Sequence, residues 1–285
     1  MAKAERISSE AIPPEGHTDL VSKLPTREGW SQPLVLYKNF WLRPQLAENI
    51  MRLQNSFRAH QDDIILATNP KCGTTWLKAL AFTVANRSRI LTTHMPVSLL
   101  PDSILACGCR LVYICRDPKD AFVSRWHFEN RIRVAQEVIE LQDAFNNFCE
   151  GVSSFGPFWD HCLGYWRESA TRPHKVLFLK YEEMMSEPVK HVRRLARFLG
   201  VLFSGEEELG RIPEEVVRLC SFEKLSSLPG NQTGEIIRRK ELVIEKSMYF
   251  RRGEVGDWVN HMSPEMGRKL DDIVEEKFRG SGLVL

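Results

Sequence analysis

The chain has 285 residues, of which 43% are hydrophobic and 27% charged, and its formal charge is only +2. Those values exclude a disordered chain, which needs low hydrophobicity and high net charge. They also exclude a nucleic-acid binder held by bulk charge, which needs a basic excess to displace phosphate counterions. Any anion must therefore be held by a few well-placed cations. The seven cysteines include no C-x-x-C pair, and Cys107 and Cys109 are one residue apart. That spacing fits neither a zinc site nor a disulfide framework, so a reduced, cytoplasmic protein without a metal is expected. The first residues lack the apolar core of a signal peptide, and no stretch approaches the roughly 18 apolar residues of a membrane span.

In chain order, residues 1–40 are rich in Pro, Glu and Lys with little periodicity and read as an irregular N-terminal arm, leaving 41–285 as one folded domain. Leu46, Ile50, Leu53 and Phe57 recur at helical spacing and predict a helix over 45–60. The apolar run 63–68 suits a buried parallel strand. A loop, Asn69-Pro-Lys-Cys-Gly-Thr74, leads into a helix over 75–86, a short strand at 90–93, a helix near 97–106 and a strand at 110–115. Asp117 caps a further helix with Pro118 in its first turn. Helices at 134–150 and 157–170, a strand at 175–180 and a helix opened by Ser186 and closed by Gly200 follow. The last third is mostly helical and ends in a helix over 263–279, capped by Ser263 and stopped by Gly280. Strands alternating with helices predict an α/β fold, a single domain with a central, mainly parallel sheet flanked by helices.

In such a sheet ligands sit beyond the carboxyl ends of the strands. The residues expected there are Lys71, Gly73, Thr74 and Thr75 after the first strand, His94 after the second, Arg116 after the third and Tyr181 after the fourth. The first loop is the sharpest signal. Gly73 lets the backbone approach an anion, the N–H groups of the helix start point at it, and Lys71 adds a movable charge. It is not a Walker A loop, because the lysine precedes the glycine and G-x-x-x-x-G-K-[ST] is absent.

Asn69 to Trp76 resembles the 5′-phosphosulfate loop of the cytosolic sulfotransferase family. Tyr113-Ile-Cys-Arg-Asp-Pro-Lys-Asp-Ala-Phe-Val-Ser124 is similar to that family's 3′-phosphate motif, and Phe250-Arg251-Arg252-Gly253 with Gly256-Asp257-Trp258 to its third signature. The likeness runs in order from about Leu36 to the end, so that 41–285 resembles one sulfotransferase domain with a P-loop-like phosphosulfate-binding loop. Ala67 to Trp76 and Leu219-Cys-Ser-Phe-Glu-Lys-Leu225 look most like the plant branch, which acts on flavonoids, steroids and jasmonate-type alcohols.

The resemblance implies a site for 3′-phosphoadenosine-5′-phosphosulfate. Lys71, Cys72, Gly73, Thr74 and Thr75 would hold the phosphosulfate, and Arg116, Ser124, Arg251, Arg252 and the Gly253 N–H the 3′-phosphate. Trp76 and Phe222 would sandwich the adenine, with Tyr181 beside it. His94 would act as general base on the acceptor hydroxyl, and Lys71 would stabilise the leaving phosphate without any metal. The other seven histidines read as structural or exposed. The partner expected is a small-molecule hydroxyl compound, not nucleic acid or membrane.

Two departures from the family pattern stand out. The C-terminal dimer motif is missing after Trp258, where the chain reads Val259-Asn-His-Met-Ser-Pro-Glu265, so a monomer or weak dimer is expected. Trp76 and His94 are only 18 positions apart, several dozen fewer than in family members. The acceptor side is then more open, and a nucleotide-binding but catalytically impaired homologue is the alternative. A kinase using the loop for ATP lacks both the Walker lysine and an acidic Mg²⁺ partner.

Overall fold

The structure, a computed structural model, describes residues 15–85, 89–132, 138–238 and 242–285. It opens with helix α1 (Glu15–Ser22) and three antiparallel strands, β1 (Thr26–Arg27), β2 (Leu34–Tyr37) and β3 (Phe40–Leu42). Strands β2 and β3 pair Tyr37 with Phe40 across Lys38 (φ 47°) and Asn39 (φ 69°). Two left-handed residues in succession give a turn whose twist matches the paired strands. The expected irregular arm therefore carries regular structure from residue 15, with Leu34, Val35, Phe40 and Leu42 buried. Strands of two to four residues are too short to show an alternating pattern in a Pro- and Glu-rich stretch.

Helix α2 (Pro44–Ser56) begins with Pro44, where the missing N–H needs no partner, and buries Ala47, Ile50 and Met51. The central sheet comes next: β4 (Ile64–Thr68), α3 (Thr74–Val84), β5 (Ile90–Thr93), α4 (Asp102–Ala106), β6 (Arg110–Cys115), α5 (Pro118–Arg131), α6 (Leu141–Cys149), α7 (Phe158–Thr171) and β7 (Val176–Lys180). Its four strands are all parallel in the order β5-β4-β6-β7. Side chains alternate between two cores. Ile65, Ala67, Leu111, Tyr113 and Cys115 face one side, with Phe145, Phe158 and Tyr165. Ile64, Leu66, Val112 and Ile114 face the other, with Leu77, Leu80 and Leu195.

Several expected boundaries move, and the helix expected over 45–60 ends at Ser56, with Phe57 extended. Pro101 splits the helix near 97–106 into a single turn at Val97–Leu99 and α4. The helix expected over 134–150 is described from Leu141, and residues 133–137 lie outside the described residues, as do 86–88 at the end of the helix expected over 75–86. Ser186 does not open a helix but ends α8 (Tyr181–Ser186), its hydroxyl donating to the Glu183 carbonyl; α9 (Pro188–Leu199) starts after it and stops at Gly200 (φ 74°). The last third holds α10 (Gly205–Leu209), α11 (Ile212–Leu219), α12 (Phe222–Ser227), α13 (Pro229–Gln232), an unforeseen hairpin of β8 (Glu235–Arg238) and β9 (Leu242–Glu245), and α14 (Pro264–Phe278). As expected, Ser263 caps α14 by accepting from the Met266 N–H, and Asp117 caps α5 by accepting from Lys119 and Asp120. Among the described residues no helix is long and apolar enough to cross a membrane.

Leu66 is fully buried in the middle of β4. Leu66→Ala is expected to lower stability by about 2–5 kcal/mol through lost burial and the cavity left behind. The check is a lower urea midpoint at an unchanged denaturant slope.

Candidate active site

Because the strands of the central sheet are parallel, the segments beyond their carboxyl ends converge at one edge. There β4 delivers Asn69–Gly73, β5 His94, β6 Arg116 and β7 Tyr181. The first loop turns sharply, with φ 71° at Lys71 and 99° at Gly73. Gly73 is the N-cap of α3, and a Cβ there would stand 2.9 Å from Cδ2 of Tyr181, so both backbone conformation and space require glycine. The N–H groups of the first turn of α3 and the positive end of its dipole thus open beside this loop. Thr74 Oγ1 lies 2.7 Å from Thr68 Oγ1, and Trp76 meets Tyr181 edge-on at 5.5 Å. Cys72 does not join them: its thiol is buried in the core and its N–H is used by the Asn69 carbonyl.

The Lys71 ammonium lies over the Phe128 ring, 4.3 Å from its centre, and 5.5 Å from that of Tyr249. Loss of water, then the guanidiniums of Arg251, Arg116 and Arg131, push it from 10.5 down to about 7. An anion bound in the loop would restore its charge.

Arginines form the second half of the site. Arg116 lies over the Tyr181 ring and hydrogen-bonds the Glu254 carbonyl and, at 3.3 Å, the Asp120 carboxylate. Asp120 is fully buried and also accepts from the N–H groups of Gly256 (2.8 Å) and Trp258 (3.0 Å). One carboxylate thereby ties α5, Arg116 and the 253–258 turn together. Ser124 is buried one turn further along α5. Arg251 pairs with Asp257, and Arg252 lies 3.3 Å from it. Burial works to raise the Asp257 carboxyl, but hydrogen bonds from Asn260 and Arg251 and the two guanidinium charges overcome it and hold it at about 2. Gly253 (φ 72°) accepts from the Tyr181 hydroxyl at 3.1 Å, and a Cβ there would fall 2.4 Å from the Phe222 ring. Among the described residues, the Nε atoms of both Arg116 and Arg251 are buried without a hydrogen-bond partner. An anion bound here would supply both with acceptors.

His94 sits at the end of the edge strand. Its Nδ1 is 2.9 Å from the Thr68 carbonyl oxygen and 3.1 Å from the Thr68 hydroxyl. A carbonyl only accepts, so Nδ1 carries the proton and the basic lone pair is on Nε2. The Phe155 ring is centred 5.7 Å from the imidazole on a left-handed backbone (φ 68°), a costly conformation for a bulky residue. It is held by Trp41, whose carbonyl accepts from the Phe155 N–H (2.7 Å) and whose N–H donates to the Gly156 carbonyl (2.8 Å).

Compared with known proteins, residues 82–282 match the sulfotransferase domain family. The chain belongs to the sulfotransferase family. This sulfotransferase is 38% identical over 310 aligned residues to Cytosolic sulfotransferase 17 of Arabidopsis thaliana, covering 94% of this chain and 90% of that one. It is 38% identical over 313 residues to Flavonol 4′-sulfotransferase of Flaveria chlorifolia, covering 95% and 97%. Both alignments run longer than the 285 residues here, so each relative carries residues that this sulfotransferase lacks. A solved structure of mouse sulfotransferase SULT7A1 complexed with PAP superposes with a TM-score of 0.71 at 28% identity, over 87% of this chain and 95% of that one. The expected fold and the plant cytosolic branch are both borne out.

Sequence reasoning passed over Thr68, Asp120, Asp257 and Phe155 as working parts of the sulfotransferase site. Asp120 had a signal in its i,i+4 spacing from Arg116. Phe155 had none, since its position depends on pairing with Trp41.

Asp257 is held below the ordinary carboxylate value, so its contribution to stability is complete above about pH 4 and lost as pH falls towards 2. Asp257→Asn is expected to cost about 2 kcal/mol at pH 7, because Arg251 and Arg252 lose a buried counter-charge. Urea midpoints of the two proteins should converge between pH 4 and pH 2.

Proposed function

We propose that this sulfotransferase works in the cytosol, moving a sulfuryl group from 3′-phosphoadenosine-5′-phosphosulfate to the hydroxyl of a small-molecule acceptor. Lys71, Thr74, Thr75 and the N–H groups at the start of α3 hold the phosphosulfate. Arg116, Ser124, Arg251, Arg252 and Gly253 hold the 3′-phosphate, while Trp76, Phe222 and Tyr181 hold the adenine. The partnerless Nε atoms of Arg116 and Arg251 support this fit, since a phosphate supplies the missing acceptors. Among the described residues no group of three His, Cys, Asp or Glu side chains is placed to hold a metal ion.

The observation that carries the mechanism is the bond from His94 Nδ1–H to the Thr68 carbonyl. It fixes the tautomer in which Nε2 takes the acceptor's proton. The acceptor oxygen then bonds to sulfur as the bond from sulfur to the bridging phosphate oxygen breaks. Lys71 neutralises the charge that gathers on that oxygen. Phe155 beside His94, and Phe128 and Tyr249 beside Lys71, favour a flat, ring-bearing acceptor such as a flavonoid, with steroid and jasmonate-type alcohols in the same range.

One observation favours a second reading, donor binding without useful turnover. Only residues 85–89 join α3 to β5, whereas the alignments to the relatives exceed this chain's length. A more open acceptor side keeps water out less well.

Adenosine 3′,5′-bisphosphate at a hundred times its dissociation constant should add about 2.7 kcal/mol of stability, seen as a melting shift that ATP and adenosine 5′-phosphate do not match. His94→Ala should keep that shift and lower sulfate transfer to a panel of phenols about 10²- to 10⁴-fold. Normal turnover by the variant would reject His94 as the base. A melting shift in the parent protein without transfer to any acceptor would favour the second reading.

Lys71 near 7 also sets a pH dependence. Binding the bisphosphate above pH 7 should take up close to one proton, and little below pH 6, so affinity falls as pH rises through 7. Calorimetry in two buffers of different protonation enthalpy measures the uptake directly.

A further inference from the structure

We infer that His161, on α7 and away from the strand ends, is a positioning residue that fixes the main chain of the base His94. The inference rests on the reading of His94 as that base. His161 is fully buried, with Nε2 3.0 Å from the His94 carbonyl oxygen and Nδ1 2.9 Å from the Tyr113 hydroxyl. The carbonyl can only accept, so Nε2 carries the proton and Nδ1 takes the hydrogen of Tyr113. Burial, the largest cause, pushes the imidazole down to about 4, so it is neutral at neutral pH and presents one donor and one acceptor.

The need for such a group comes from the sheet. Strand β5 is an edge strand whose ladder with β4 ends at Thr93, and just beyond it helix α7 bonds the carbonyls of His94 and Met95. His161 donates to the His94 carbonyl, and Tyr165 Oη donates to that of Met95 at 2.8 Å. Tyr113 is stacked on Tyr165, with ring centres 4.2 Å apart and planes 11° apart, so both tethers share one rigid aromatic block. With its side chain bonded to Thr68 and its carbonyl to His161, His94 is held at two points, and Nε2 is aimed by both. A buried imidazole costs more to desolvate than a leucine of similar volume, so a core that needed only packing would gain by losing it.

The test uses the full chain and measures kcat, donor KM and the bisphosphate melting shift. His161→Phe fills the space without the N–H donor and should lower kcat about 10- to 100-fold, with donor KM and melting shift unchanged. His161→Gln restores an N–H close to the Nε2 position and should recover most of the lost rate. His94→Ala combined with His161→Phe should be no slower than His94→Ala alone, because His161 acts only through His94. Wild-type kcat in His161→Phe, equal impairment of the Phe and Gln variants, or a further loss on top of His94→Ala would each overturn the inference. An inactive His94→Ala beside a fully active His161→Phe overturns it while leaving the base in place; a fully active His94→Ala overturns the base reading itself. If His161→Phe does not fold, Tyr113→Phe removes only the hydroxyl that holds the imidazole ring through Nδ1. It should lower kcat about 3- to 10-fold at constant KM, and an unchanged kcat in that variant overturns the inference.

Discussion

Like-charge repulsion is the constraint around which the site is arranged. Lys71, Arg116, Arg251 and Arg252 gather at one sheet edge of a protein whose net charge is only +2. Without a ligand, cations packed this closely and partly shielded from water oppose one another. Two buried carboxylates make the cluster tolerable. Asp120 grips Arg116 and the 253–258 turn, and Asp257 grips Arg251 and Arg252. Neither reaches Lys71, which rests on Phe128 and releases its proton more readily, through loss of water first and the neighbouring guanidiniums second. A donor with anionic groups at both ends resolves all of this at once, and preorganised cations of this kind need little rearrangement when it binds.

The placement of these residues at the sheet edge was legible in the sequence because it depends on local order. A strand followed by Pro-Lys-Cys-Gly-Thr-Thr has to turn, and only a glycine near its end suits the left-handed backbone at residue 73. The strand end at Arg116 was equally visible after the unbroken run Leu111–Cys115, and those at His94 and Tyr181 follow the shorter runs 90–93 and 176–180. What escaped detection was non-local. Asp120 acts across more than a hundred residues on the backbone of Gly256 and Trp258. Phe155 reaches His94 only because Trp41 pairs with its turn. His161 looked like one more core histidine, and its two hydrogen bonds cross from α7 to two different strands' residues. Cys72 errs the other way: its place in the loop suggested a role that its buried thiol and engaged N–H do not allow.

The proposed base and the anion site also differ in how they are built. The arginines are held by ion pairs, while His94 is held by neutral hydrogen bonds to Thr68 and His161. For the proposed proton transfer, fixing the histidine by dipoles leaves its basicity less shifted than fixing it by a charge.

The bridge between Trp41 and Gly156 ties the wall beside His94 to the small sheet near the start of the chain. During synthesis Trp41 leaves the ribosome about a hundred residues before its partner. The early hairpin must wait, unpaired on that edge, until α6 and the turn at 153–157 have emerged. A contact this distant in sequence forms late. A nascent chain that ends before residue 153 therefore carries the phosphate-loop residues without the turn that places Phe155 beside His94.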